Sequence, residues 1–466
     1  MSIRQVAIIG GGLAGCECAF ALAQAGVPVR LFEMKPERFS PAHVSGGLAE
    51  LVCSNSFRSD APDSAVGELK MEMRRLGSLC LAVAEKTRVP AGKALAVDRE
   101  RFAGEMTGIV EGHPLITVER REILSFDDAA LRDFDILVVA AGPLASEGLA
   151  ASLSRYAGEE HLYFYDAIAP VVDGASVNMD IAFWGARYHP EDSDYLNCPL
   201  NEAEYTAFHQ ALLEGKTFQS RDFEKEVHFE GCMPIEALAA RGFKTLAFGP
   251  FKPVGFTDPR TGGRPYALLQ LRAENINKSM FNLVGCQTKL VHGEQERIFR
   301  MIPGLEQAEF VRFGSMHRNT FINAPKALSH DLSLKSAPHI FLAGQITGVE
   351  GYVESAACGL WLGKHLACRA KGHVLPPPPQ ESALGALLGH LRTPAKKFQP
   401  SNVQFGLMPE LGVRAGKANR KALYAERAKR ALQVWLDANG LRESDPSVTG
   451  TDGTSEANRA GEDASR

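Results

Sequence analysis

Two patterns of apolar residues alternate along the first 33 positions. Val6 to Ile9 is a short unbroken apolar run, as expected of a parallel strand buried on both faces. Leu13 to Ala25 follows as an apolar, alanine-rich stretch of helical length that stops at Gly26. Val27 to Phe32 reads as a second strand, closed by Glu33. Two later runs, Asp135 to Ala141 and His339 to Ala343, have the same strand character, and a glycine turn follows each. The second leads through Gly344, Gln345, Gly348, Gly351 and Tyr352 into a helix-like stretch from Glu354 to Ala370. Between these outer segments the chain is rich in aromatics and loop residues, as in FWGARYHPEDSDYLNCP and FGPFKPVGFTDPRTGGRPYALLQLR.

The turn between the first strand and the first helix is Gly10-Gly11-Gly12-Leu13-Ala14-Gly15, a G-x-G-x-x-G pattern. Each glycine has a mechanical role: a tight turn, close approach of backbone to a pyrophosphate, and close packing of helix on strand. The pyrophosphate would sit at the helix N-terminus, where unpaired N–H groups favour negative charge. Glu33 lies 18 residues after Gly15, within reach of a ribose hydroxyl. Strand, helix and distal acid in register predict a dinucleotide site. The motif alone does not separate FAD from NAD. The late strand, its glycine turn (Gly344, Gln345, Gly351, Tyr352) and the following helix suit a flavin ring seated on a helix N-terminus, which favours FAD. The expected fold is therefore α/β. It is a Rossmann-like FAD-binding domain of the two-dinucleotide-binding flavoprotein type, discontinuous, with a smaller inserted α+β domain. The expected boundaries are 1–171 for the first half, 172–290 for the insert, and 291–440 for the second half with a basic C-terminal helix. The proline run Pro376 to Pro379 marks a surface connection.

Composition narrows the class. A chain of 466 residues has room for two or three domains, and 45% hydrophobic with 23% charged residues is ordinary for a globular protein. No apolar run approaches the roughly 18 residues needed to span a bilayer, and no signal-peptide pattern is evident, so a cytoplasmic location is expected. The nine cysteines form no C-x-x-C pair and no zinc spacing, which predicts free thiols and no metal site. Cys16, Cys18, Cys358 and Cys368 fall on the apolar helices and read as core. Cys53 differs: Ser54, Asn55, Ser56 and Arg58 surround it, and a nearby guanidinium can lower a thiol pKa. Cys232, between Gly231 and Met233-Pro234, sits on irregular backbone. From Glu443 to Arg466 there are six acidic and two basic residues and only one aliphatic residue, Val448, so a disordered acidic tail is expected at 443–466. Arg414, Lys417, Arg420, Lys421, Arg427, Lys429 and Arg430 precede it. They form either a solvated helix face or a footprint for a polyanion.

Six segments, VAIIGGGLAGCECA, LVCSNSFRSD, FEGCMPIE, GPFKPVGF, GQITGVEGYVESA and FQPSNVQFGLMPEL, together resemble the bacterial folate- and FAD-dependent tRNA (uracil-5-)-methyltransferases, known as TrmFO. The resemblance runs from about residue 3 to about residue 435. It implies an enzyme that converts the T-loop uridine of tRNA, position 54, to 5-methyluridine. The carbon would come from 5,10-methylenetetrahydrofolate and the reducing equivalents from reduced FAD, itself reduced by NADH or NADPH. Uracil C5 is a poor nucleophile, but a thiolate adding to C6 turns it into an enolate carbon. The resemblance assigns that nucleophile to Cys232. It gives Cys53 the second role, as general base or as a partner of the flavin. Tyr352 could stack on a bound ring or simply pack, and His43, Asn55 and Arg58 are near enough to Cys53 in sequence to bind folate or phosphate. Four other readings stay open: the same chemistry on large-subunit rRNA, a GidA-like wobble-uridine modification flavoprotein, a non-catalytic tRNA-binding protein, and a disulfide oxidoreductase. The last would need a second redox cysteine near Cys53. Oligomeric state is left open.

Overall fold

The computed structural model describes residues 3–158, 162–189, 192–218, 233–413 and 416–441. Cys232, Arg414 and the acidic tail lie outside the described residues. Two sheets organise the chain. The first has six strands in the spatial order Ser333–Leu334, Ala337–Leu342, Ile136–Val139, Val6–Ile9, Val29–Glu33 and Ile116–Arg120. All its pairings are parallel except the edge hairpin of Ser333–Leu334 with Ala337–Leu342. Val6, Ile8, Val138 and Phe341 are fully buried, as unbroken apolar runs require when helices cover both faces.

The first helix is Leu13–Gln24, and Gly26 adopts a left-handed φ of +85° just past its end. The second strand begins at Val29, two residues later than expected, because Pro28 and Val27 complete the turn. The late helix, Tyr352–Ala370, packs directly on the first helix. A Cβ on Gly359 would stand 2.1 Å from the Ala14 carbonyl oxygen, and one on Gly363 would stand 2.8 Å from that of Cys18. Glycine at these two positions lets the helices approach at backbone distance, so the late helix is locked onto the first. The FAD-type domain is thus assembled from both ends of the chain.

A second sheet takes its strands from between Val171 and Arg312. Its order is Phe183–Trp184, Tyr195–Leu200, Ala267–Ala273, Met280–Leu283, Val171–Asp173 and Phe310–Arg312, all antiparallel. It has its own core, in which Phe208 and Phe251 stack at 5.7 Å and Leu269, Leu271 and Leu283 are fully buried. Strands Leu162–Ala167 and Met316–Phe321 pair antiparallel and carry the chain between the two units.

The basic helix is Lys417–Ala438. Tyr424, Ala428, Leu432, Trp435 and Leu436 bury one face, while Arg420, Lys421, Lys429 and Arg430 are exposed on the other. Arg427 donates to the carbonyls of Glu410 and Pro409. In the proline run Pro376 is exposed, Pro378 is buried and the other two are half-buried, and Trp435 Nε1 donates to the Pro376 carbonyl at 3.1 Å, so this connection lies at the surface and is tied to the helix.

Candidate active site

The carboxyl ends of Val6–Ile9, Ile136–Val139 and Ala337–Leu342 open into a crevice of about 1060 Å³. This is where strand order reverses in an open α/β sheet, the usual ligand position in that architecture. The three glycines act differently there. Gly10 has φ +104°, and a Cβ on it would lie 2.5 Å from the Ala140 carbonyl oxygen. A Cβ on Gly15 would lie 1.9 Å from the Gly10 carbonyl oxygen. A Cβ on Gly12 would meet nothing within 4 Å, so the space beside it belongs to the crevice. The helix that starts there has no side-chain cap and no acidic residue in its first turn, which leaves its first N–H groups available to an anion. Leu13 and Ala14 line the same wall.

Glu33 ends the second strand and lines the crevice. Its carboxylate accepts from the N–H of Gly11 at 2.8 Å and from that of Lys35 at 2.9 Å. Lys35 pairs with Glu50 at 3.1 Å in an almost fully buried ion pair on the same wall. His43 lines it too, with Nδ1 at 2.6 Å from Ser40 Oγ, and burial pushes its imidazole below the usual histidine range. An open space at Gly12, an uncapped helix N-terminus and an acid at the strand end fit the phosphates and ribose of a dinucleotide such as FAD.

A second cavity of about 1190 Å³ adjoins the crevice, with Val52, Pro143, Leu144, Gln345 and Tyr352 bordering both. It lies between the two units. One wall carries Cys53, Arg58, Glu350 and Tyr352; the other carries Arg272, Asn282 and Gln287 from the second sheet and its following loop. Among the described cysteines, Cys53 is the one that lines it. Burial pushes the thiols of Cys16, Cys18, Cys80, Cys198 and Cys286 up and keeps them protonated. Cys358 is also buried, whereas Cys368 is half-buried near the end of its helix rather than core.

The Cys53 loop is held from two sides. The Tyr352 hydroxyl accepts from the N–H of Cys53 at 2.7 Å and from that of Ser54 at 3.2 Å. Arg99 donates to the Leu51 carbonyl at 2.6 Å, and Arg312 to the Val52 carbonyl at 3.4 Å. Arg99 is in turn paired with Glu274 at 2.7 Å. Burial and then the neighbouring Arg99 push the Arg312 guanidinium below the usual arginine range. Tyr352 therefore packs, with its ring 6.0 Å from that of Phe57, and anchors the loop through its hydroxyl. Burial, helped by Cys53, pushes that hydroxyl above the usual tyrosine range. Gly351, with φ +101°, turns the chain into the late helix at this point.

Gln345 Nε2 donates to both Glu350 carboxylate oxygens, at 2.9 and 2.8 Å. Burial, reinforced by Asp166, pushes Glu350 up to about 8, so it is largely protonated at neutral pH. Arg58, at φ +63°, pairs with the buried Glu354 in the first turn of the late helix. Asn55 has a structural role: its amide donates to the carbonyls of Val97 (2.8 Å) and Ala273 (2.9 Å), and its oxygen accepts from Arg272 at 2.8 Å. It ties the two units together across the cleft.

Sequence reasoning did not find Arg99, Arg312, Asn282 or Glu350. Arg99 and Asn282 carry no local pattern at all. Glu350 stands inside the glycine-rich turn already singled out, and that position was the signal available.

A family described as "Glucose inhibited division protein A" matches residues 5–374. A protein of Oleidesulfovibrio alaskensis named "Methylenetetrahydrofolate--tRNA-(uracil-5-)-methyltransferase TrmFO" is 67% identical over 434 residues, covering 93% of this chain and 97% of that protein. A protein of the same name from Lawsonia intracellularis is 56% identical, covering 94% of this chain and 98% of that protein. Among solved structures, Aquifex aeolicus GidA superposes with a TM-score of 0.67 at 16% identity, over 96% of this chain and 75% of that one, which is a likeness of fold. By identity and coverage together, the chain belongs to the TrmFO family.

Proposed function

We propose that this protein methylates C5 of the T-loop uridine of tRNA, position 54. The carbon comes from 5,10-methylenetetrahydrofolate, FAD lies on the glycine turn, and NADH or NADPH is the source of electrons. One observation carries the reading: the nucleotide crevice and the Cys53 cleft are contiguous, with Gln345 and Tyr352 on the border of both. A dinucleotide lying along the first would reach the second. Close relatives named for methylenetetrahydrofolate and tRNA uracil support the choice of substrates.

The residues divide the work. The thiolate of Cys232 adds to uracil C6, and the electron pair of the C5=C6 bond moves to make C5 nucleophilic. C5 then forms its bond to the folate-derived methylene carbon. Removal of the C5 proton falls to Cys53 in this reading, and the bonds that Tyr352, Arg99 and Arg312 make to its loop support that role. Loss of that proton expels the nitrogen that carried the methylene and leaves an exocyclic methylene at C5; once two reducing equivalents have made it a methyl group, C5=C6 re-forms and the Cys232 thiolate leaves. FAD held on the glycine turn, once reduced by NADH or NADPH, would supply the two reducing equivalents that turn the methylene into a methyl group.

The reaction is tested by incubating the purified protein with tRNA, NADPH and methylenetetrahydrofolate labelled at the methylene carbon. Label should appear in 5-methyluridine at position 54 and disappear with a transcript carrying cytidine there. Absence of label from tRNA, with flavin present in the protein, overturns the reading.

A further inference from the structure

We propose that the side-chain amide of Asn282 donates a hydrogen bond to O4 of the target uracil and stabilises the negative charge that gathers there during C6 addition. The inference rests on the reading of the cleft as the uridine site, and it adds the group that receives the charge. Asn282 lies on strand Met280–Leu283. Its neighbours Phe281 and Leu283 both belong to the core of the second unit. Alternation along a strand then turns Asn282 to the opposite face, and it lines the cleft that holds Cys53. Arg272, paired with Asn282 across the ladder, follows the same logic: Leu271 and Ala273 enter the core, while Arg272 reaches the cleft and bonds Asn55.

Asn282 is 2% exposed, and its amide nitrogen has no hydrogen-bond partner. A buried donor without an acceptor costs about 1–3 kcal/mol, so buried amides are nearly always satisfied. The orphaned Asn282 donor therefore suits an acceptor that arrives with the substrate. When a thiolate adds to C6 of uracil, the C5=C6 pair moves to C5 and delocalises onto O4, which becomes an enolate oxygen. The electrons balance within the base: one S–C6 bond forms, the C5=C6 π bond is used, and no oxidant or reductant takes part. A preorganised N–H donor facing that oxygen stabilises the addition product more than the neutral base, which is the requirement for catalysis. Arg272 bonds Asn55 through Nε, whereas the Asn282 amide nitrogen has no partner within the protein.

The test follows the addition step by itself. Reversible C6 addition lets the C5 hydrogen exchange with water, so tRNA carrying [5-³H]uridine should release tritium with the flavin-loaded protein and no folate. Asn282→Ala should slow this release, and the kcat of methyl transfer, by about 10²–10³-fold, the usual cost of one oxyanion donor. Asn282→Asp, the same shape with an acceptor in place of the donor, should be at least as slow. Flavin content and melting temperature report that each variant is folded. Affinity for tRNA should change little, because phosphate contacts dominate it. Release by both variants within threefold of the parent rate overturns the role of Asn282 alone. A parent protein that neither exchanges C5 hydrogen nor transfers carbon overturns the uridine site itself, and this role with it.

Discussion

The nucleotide crevice and the Cys53 cleft share a border but are built by opposite means. The phosphate end of the crevice is made of backbone: three glycines, an uncapped helix N-terminus and the end of the first strand, all within the first 15 residues, with side chains such as those of Glu33, His43 and Glu50 on the adjoining wall. The cleft is made of side chains drawn from positions 42 to 402 and held in place by bonds between distant segments, such as Tyr352 to Cys53 and Asn55 to Ala273. A backbone site needs particular residues at fixed spacing, because only glycine tolerates those distances. A side-chain site needs particular groups in space, and sequence spacing does not constrain them. Phosphate binding can thus be written locally, while base and carbon chemistry depends on the tertiary fold.

The largest expected effect separates the two glycines of the turn. Gly12→Val adds a side chain to open space, so the protein should fold normally and purify without flavin, at less than a hundredth of the parent's FAD affinity. Gly15→Val would drive its side chain into the Gly10 carbonyl and should yield little folded protein. Absorbance near 450 nm and the melting curve read the two outcomes. A fully flavinated Gly12→Val would place the pyrophosphate elsewhere.

A smaller effect concerns the cleft's buried acid. Glu350 is raised to about 8 when folded, from an ordinary value of 4.5. The folded state then binds more protons than the unfolded state across that interval, so the contribution of Glu350 is full below about 4.5 and is lost as pH rises through about 8. Glu350→Gln should flatten the decline of stability between pH 5 and 8 by at most about 1.4 kcal/mol per pH unit, one proton's worth. Urea midpoints measured across that range check the slope; an unchanged slope would mean that Glu350 is ionised in the fold.

The same contrast explains what the sequence made legible. The first strand, the first helix and the late helix were readable because burial on two faces demands unbroken apolar runs and glycine marks where backbones touch. The second sheet was not, since its strands are separated by long aromatic loops and pair across distant parts of the chain, as Val171–Asp173 does with Phe310–Arg312 and Tyr195–Leu200 with Ala267–Ala273. Cys53 stood out by its polar neighbours and by resemblance. Asn55, beside it, has the polar neighbours of a ligand contact but bridges the two units, because nothing local says which way a buried amide points. Asn282 has the reverse character: its strand neighbours are ordinary core residues, and only the missing partner of its amide marks it.

A target base that enters the Cys53 cleft and reacts there through a thiolate can be caught in the act. An RNA hairpin with 5-fluorouridine at the target position has no removable C5 proton, so the covalent complex should persist through denaturing electrophoresis. The account predicts that the trapped peptide carries Cys232, that Cys232→Ala abolishes the complex, and that Cys53→Ala keeps full flavin and still traps RNA while losing turnover. A trapped peptide carrying Cys53 would reverse the two roles, and a complex that forms with both cysteines replaced would contradict the account.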